Sequence, residues 1–205
     1  MFFQKLSMSV TFGVFVYSLI SPMYIFVTVN TLPAIVYGRI PGMGIRMGSL
    51  DYIALSVFFS LLVFFFASHV MYEKGIVKRI VCAASAVYCA LYLAVIVLVG
   101  IYGLVIFNFP IISIPLGIVL LAKLFILFPA TYFFMVSLDK KASVYIRFSA
   151  FVHAVSLVTV GIIKVFEMLF SATIRLLVFD ISTAVYLISL SMVTFFMYRK
   201  YYEQE

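Results

Sequence analysis

The stretch Val57-Phe58-Phe59-Ser60-Leu61-Leu62-Val63-Phe64-Phe65-Phe66 carries no charge, and it sits inside a largely apolar run over residues 51–72. Five comparable runs cover residues 6–29, 80–103, 113–137, 148–171 and 175–198. About 20 apolar residues, each adding about 1.5 Å of helix, bridge the hydrocarbon of a bilayer. Strict alternation of apolar and polar residues is absent, and the runs are too long for barrel strands. The pattern therefore predicts an all-α integral membrane protein, a bundle of six transmembrane helices forming one domain over residues 1–205, with no soluble domain.

Composition agrees. Of the 205 residues, 66% are hydrophobic and 10% are charged. A soluble domain is nearer 45–50% apolar and 25% charged, and a chain this small could not bury the excess. Soluble enzyme, nucleic-acid binder and disordered tail are excluded as readings of the whole. Cys82 and Cys89 form neither a disulfide framework nor a CxxC motif. They are expected to be small buried residues.

The first run is too long for the apolar core of a cleavable signal peptide, and no A-x-A-like site follows it, so it is expected to be a retained span. Pro22 is expected to kink it. The longest connection, residues 30–50, holds Gly38, Gly42, Gly44 and Gly48 with Pro41, Arg39 and Arg46. It reads as a surface turn, with a re-entrant loop as the alternative.

Basic residues set orientation. With the N-terminus inside, Lys5, Lys74, Lys78, Arg79, Lys140, Lys141, Arg147, Arg199 and Lys200 fall on the cytoplasmic side. Arg39, Arg46, Lys164 and Arg175 fall outside, and Lys123 lies within the membrane. Nine against four places both termini in the cytoplasm. Without Trp, interface anchoring falls to Tyr: Tyr72, Tyr145, Tyr198, Tyr201 and Tyr202 on the inner side, Tyr37, Tyr52 and Tyr102 on the outer. Two inner connections look alike, Glu73-Lys74 followed by Lys78-Arg79 and Asp139-Lys140-Lys141 followed by Arg147. They hint at repeated helical hairpins, although the common demands on cytoplasmic loops produce the same pattern.

Ionisable residues inside a membrane are expensive and mark candidate sites. Lys123 is roughly 15 Å from the outer end of the fourth span and Asp180 roughly 8 Å into the sixth. A lysine stem can reach outward along the helix, so Lys123 is expected to pair with Asp180, or else with Glu167. Such a pair is either an ion or proton site or a device that fixes helix packing.

The fifth span has the clearest pattern. Ser149, His153, Ser156, Lys164, Glu167 and Ser171 fall in a band of about 60–80° on the helical wheel, interrupted by Val160. This stripe is expected to face inward, against the third and sixth helices. It is either an interhelical hydrogen-bond seam or the wall of a hydrophilic path. Cys82, Ser85, Cys89, Tyr92, Gly100 and Gly103 share a face of the third span that suits close packing. Asp180, Thr183, Ser191, Thr194 and Tyr198 share a broad side of the sixth. The Phe-rich second span is expected to face lipid or a partner.

His69 and His153 lie at one level near the inner surface, where two histidines can be axial ligands of a b-type haem. With Cys82 they can instead form a metal site. The bland reading has no cofactor and places His69, on an apolar face, at the interface among lipid headgroups. No HExxH, G-x-S-x-G or paired-carboxylate motif is present, so no catalytic residues are expected.

The function these features suggest is that of a non-enzymatic, multi-pass protein of the cell membrane, an integral subunit or scaffold within a larger membrane complex. The alternative is a small oligomeric transporter or channel using the polar face of the fifth helix with Lys123 and Asp180; a third is a one-haem electron-transfer anchor. Expected partners are the lipid bilayer and either other membrane subunits or further copies of the chain, with no nucleic acid.

Overall fold

The computed structural model describes residues 2–24, 49–105, 125–166 and 172–202. Among these residues there are six helices and no strands. They are α1 (Phe2–Tyr24), α2 (Ser49–Tyr72), α3 (Ile76–Val105), α4 (Leu127–Ser137), α5 (Val144–Phe166) and α6 (Ala172–Tyr202). Four contain stretches long and apolar enough to cross a membrane: Ile53–Tyr72, Ile76–Ala94, Val144–Ile163 and Ile181–Lys200. The described apolar parts of α1 and α4, Lys5–Ser21 and Leu127–Ser137, are shorter. α1 continues through Pro22 to Tyr24. The connection over residues 30–48 and the first part of the fourth run, 113–124, lie outside the described residues.

These helices contain many hydroxyls, and their own carbonyls accept from most of them. Thr11 donates to Ser7, Ser18 to Val14, Ser60 to Ser56, Ser85 to Val81, Ser149 to Tyr145 and Thr194 to Leu190, all at 2.6–2.8 Å. Each bond returns one turn along the helix, which is how a hydroxyl is satisfied without water. Among the described residues, one buried side-chain polar atom, Ser7 Oγ, has no partner.

Each helix packs on its neighbours in sequence, and α6 packs back on α1. The result is a closed ring of six helices. Tyr17 of α1 donates to the Ala54 carbonyl of α2 at 2.6 Å. Phe12 and Phe15 of α1 meet Tyr198 and Phe195 of α6 with ring centroids 5.0 and 5.4 Å apart. The outer faces are apolar: Ile53, Val57 and Phe64 on α2, Ile80, Val87 and Leu91 on α3, Phe148, Phe151 and Val155 on α5, Val185, Ile188 and Met192 on α6.

The interior is aromatic, and α2 supplies much of it. Phe58, Leu62, Phe65 and Phe66 are buried. Phe65 and Phe66 meet Phe133 of α4, and Phe58 meets Tyr186 of α6. The expectation that the Phe-rich second helix faces lipid or a partner thus holds for its outer face, with Ile53, Val57 and Phe64, and is corrected for Phe58, Phe65 and Phe66, which turn into the core. A ring of six helices has a wide centre, and large rings fill it where small polar residues would leave a void.

Two hairpins of the ring show a partial likeness at a spacing of 68 residues. α3 and α5 begin at Ile76 and Val144, 68 positions apart. At the same spacing, Phe58 and Ile126, Leu62 and Ala130, Phe65 and Phe133, Ser68 and Val136, and His69 and Ser137 are all buried. So are Cys82 and Ala150, Ser85 and His153, and Cys89 and Leu157. Ile80 and Phe148, and Val87 and Val155, are exposed in both. α2–α3 and α4–α5 therefore share part of a burial pattern, but Phe64 is exposed where Tyr132 is buried, and Phe66 is buried where Phe134 is exposed.

Candidate functional site

The short loops 73–75 and 138–143 lie together at one end of the ring. Glu73 N–H donates to the His69 carbonyl at 2.8 Å, and Arg79 N–H to that of Gly75 at 3.0 Å, so three residues turn α2 into α3. The longer turn into α5 is held by Asp139 N–H on the Val136 carbonyl and Ala142 N–H on that of Asp139, at 3.2 and 3.0 Å. Each loop is braced by an arginine at the same repeat position. Arg79 Nε donates to the Glu73 carbonyl, and Arg147 Nε to the Ser137 carbonyl at 3.1 Å. Both arginines thereby satisfy carbonyls left open at a helix C-terminus.

Lys78 joins the two loops. Its Nζ donates to Asp139 Oδ2 at 2.7 Å and lies 3.9 Å from Glu73 Oε2. Asp139 Oδ1 accepts from the Lys141 N–H at 3.0 Å. These contacts hold the Asp139 carboxyl below its ordinary range, first through the Lys78 hydrogen bond and then through Lys141. From below, the Tyr132 hydroxyl donates to Glu73 Oε1 at 3.3 Å. Lys78, Glu73, Asp139 and Tyr132 are not candidate site residues in the sequence pattern, where Lys78 serves to orient the chain and Glu73 and Asp139 figure only in the two similar loops. The paired loop motifs were the available signal.

His69 lies just beneath. It is 0% exposed, its Nδ1 is 2.7 Å from the Phe65 carbonyl, and its ring sits 4.2 Å from Phe65 and 6.0 Å from Tyr132. It does not reach the lipid headgroups as expected, because the apolar face it shares with Leu62 and Phe66 is the core face of α2.

His153 is also buried. Its Nδ1 lies 2.8 Å from Ser189 Oγ of α6, and Ser156 Oγ lies 2.8 Å from the same atom. Ser156 also donates to the His153 carbonyl at 2.8 Å, and the His153 ring sits 5.2 Å from that of Tyr186. The described part of the fifth-helix stripe, Ser149, His153 and Ser156, thus faces inward. Its neighbours are α6, as expected, and α4 rather than α3. At Gly161 the approach to α4 is close enough that a Cβ would lie 2.8 Å from Ile126 Cγ2. Ser189 and Tyr186 fall outside the polar side of α6 that the sequence marks, because they lie on a different face from Ser191 and Thr194.

Lys123 and Glu167 lie outside the described residues. So do the side chains of Lys164 in α5 and Asp180 in α6. The Lys123–Asp180 pairing is therefore not among the placed contacts.

The two histidines do not frame a haem slot. His153 meets Phe133 edge-on at 4.5 Å, Phe133 stacks on Phe65 at 6.2 Å, and Phe65 meets His69 at 4.2 Å. Phenyl rings fill the space a porphyrin would need between the imidazoles, so these residues do not fit a bis-histidine haem. Nor do the described residues contain a group of three His, Cys, Asp or Glu side chains able to hold a metal ion, so His69, His153 and Cys82 are not assembled into one.

The arrangement has two polar layers inside the ring. One is Tyr132, His69 and Cys82 under the loop charges; the other is His153, Ser156 and Ser189. The Phe65–Phe133 pair lies between their histidines. No protein-family model matches the chain, and neither a curated protein nor a solved structure is detectably similar to it.

Proposed function

We propose that this chain is a non-enzymatic protein of the cell membrane, with six spans and both termini in the cytoplasm, that passes a small polar solute or ion through the inside of its helical ring. The observation that carries the reading is the buried His153–Ser156–Ser189 cluster. A polar cluster inside a ring whose outer faces are apolar is what a membrane pathway requires, and buried polar groups in a bilayer are expensive to keep without a use. Lys123, Asp180, Lys164 and Glu167, the charges the sequence places in the apolar runs, are the further polar groups this proposal assigns to such a path.

The scaffold reading, a subunit within a larger membrane complex, draws support from the exposed aromatic surface where the chain enters α4. There Phe125 and Phe128 stack at 5.6 Å and are both exposed.

Reconstitution in liposomes separates the two. The expected result is flux of a proton, alkali cation or small polar solute above protein-free vesicles, changed by Ser189→Ala while the protein stays folded. Absence of flux for all three classes, together with stoichiometric recovery of partner subunits from native membranes, overturns the transport reading in favour of the scaffold.

A further inference from the structure

We propose that the Lys78–Asp139–Glu73 clasp and the Phe65–Phe133 stack beneath it form a gate, closed in this structure, between the short-loop end and the interior of the ring. The inference rests on the transport reading, and it names the device by which one side of the path is shut.

The first argument is where the bonds run. Arg79 and Arg147 each bond a carbonyl within their own hairpin, so they stiffen α2–α3 and α4–α5 separately. Lys78 and Tyr132 reach across instead, from α3 to Asp139 and from α4 to Glu73. Two braced hairpins joined by side-chain bridges can part as rigid bodies, the usual basis of a hinged closure.

The second argument is exposure. The side chains of Lys78, Glu73 and Asp139 are 19%, 18% and 35% exposed. Charges this accessible to water are easily resolvated when they separate, so the clasp can break and reform readily. A fully buried ion pair would lock the hairpins together.

The third argument is the layer below. Phe65 and Phe133 come from the two hairpins and lie nearly parallel but offset, with 17° between their planes and centroids 6.2 Å apart. Parting them breaks no hydrogen bond between the two rings. It would open a route between the Tyr132–His69–Cys82 layer and the His153–Ser156–Ser189 layer. Both layers are buried in this state, Cys82 at 0% exposure.

Cys82 supplies the test. Membrane fragments open on both sides, carrying the full chain with Cys89→Ser, are treated with a water-soluble, membrane-impermeant maleimide. The expected result is slow labelling of Cys82 with the clasp intact and at least tenfold faster labelling in Lys78→Gln. Slow labelling should return in the exchanged pair Lys78→Asp with Asp139→Lys. Phe133→Ala should speed labelling further in the Lys78→Gln background. An unchanged rate in Lys78→Gln overturns the gate. So does a faster rate that the exchanged pair does not reverse, because the lysine then acts only on general stability. Labelling does not depend on flux. Faster labelling with no flux in liposomes refutes the transport reading and retains the closure, whereas flux without any change in labelling refutes the gate and retains transport.

Discussion

Phe65 and Phe133, 68 positions apart in the chain, stack on each other inside the ring with centroids 6.2 Å apart. Each is almost wholly buried, and each stands beside a histidine, His69 and His153 respectively. Repeat-related residues that meet in this way mark the place where the two hairpins face each other.

Phe133→Ala should destabilise the protein by about 2 kcal/mol in a reversible unfolding assay in detergent or bicelles. Phe→Ala in a water-soluble core removes about 3–5 kcal/mol, part of it transfer from water. Lipid is as apolar as the core, so chiefly the lost dispersion contacts remain. Phe133→Leu should recover more than half of the loss. Equal stability of Phe133→Ala and the unaltered protein would show that the ring centre is loosely packed.

The clasp gives a pH dependence of definite sign. The folded state holds the Asp139 carboxyl below its ordinary value, so the ionised form is favoured by folding. This contribution is present above about pH 4 and is lost as the pH falls further. Asp139→Asn should therefore lower the unfolding temperature at pH 7, and the difference should shrink progressively as the pH falls below about 4. Because the side chain is partly exposed, the effect should stay within about 1 kcal/mol. A difference that grows toward pH 3 would contradict the pairing.

Gly161→Val should destabilise by about 1–3 kcal/mol, the usual range for overpacking. The added Cβ would lie 2.8 Å from a branched methyl of Ile126, which has little freedom to move because it sits close to its own backbone. A gain in stability, as better helix propensity alone would produce, would show that α4 and α5 do not approach so closely.

Single cysteines report the topology. A cysteine replacing Lys140 should react with impermeant maleimide only when the cytoplasmic face is accessible, and one replacing Ser49 only from outside. Thiol labelling of intact cells and of inverted vesicles makes the comparison. Reaction of both from one side would refute six spans with cytoplasmic termini.

Much of the helical layout was legible because long apolar runs have few other folds, and α2, α3, α5 and α6 coincide with runs read directly from hydropathy. Helix ends were less so. α3 starts at Ile76, four residues before its apolar run, and takes Lys78 and Arg79 into its first turn, where charged heads reach the bundle end. The inward turn of Ser149, His153 and Ser156 was legible because hydroxyls and an imidazole avoid hydrocarbon. The placement of α2 was not. In a membrane, core and lipid are equally apolar, so a face of Leu62, Phe66 and His69 carries no signal of which it meets. His69 was misplaced with it. The clasp was hidden for another reason: basic residues at helix ends already have a topological explanation, and their partners come from another loop 61 positions away.

The closed ring also bears on biosynthesis. α1 packs against α2 on one side and α6 on the other, so one flank stays uncovered until the last of the six helices is made. Roughly 150 residues separate Tyr24 from Ala172, and at about 5–20 residues per second ribosomal synthesis of that interval takes on the order of ten seconds or more. During this wait α1 remains an incomplete wall. Thr11 and Ser18 already donate to carbonyls of their own helix, so the waiting helix can keep these hydroxyls satisfied without α6. Ring closure then waits on α6, and loss of the Phe12–Tyr198 contact on the α1–α6 seam would weaken that closure.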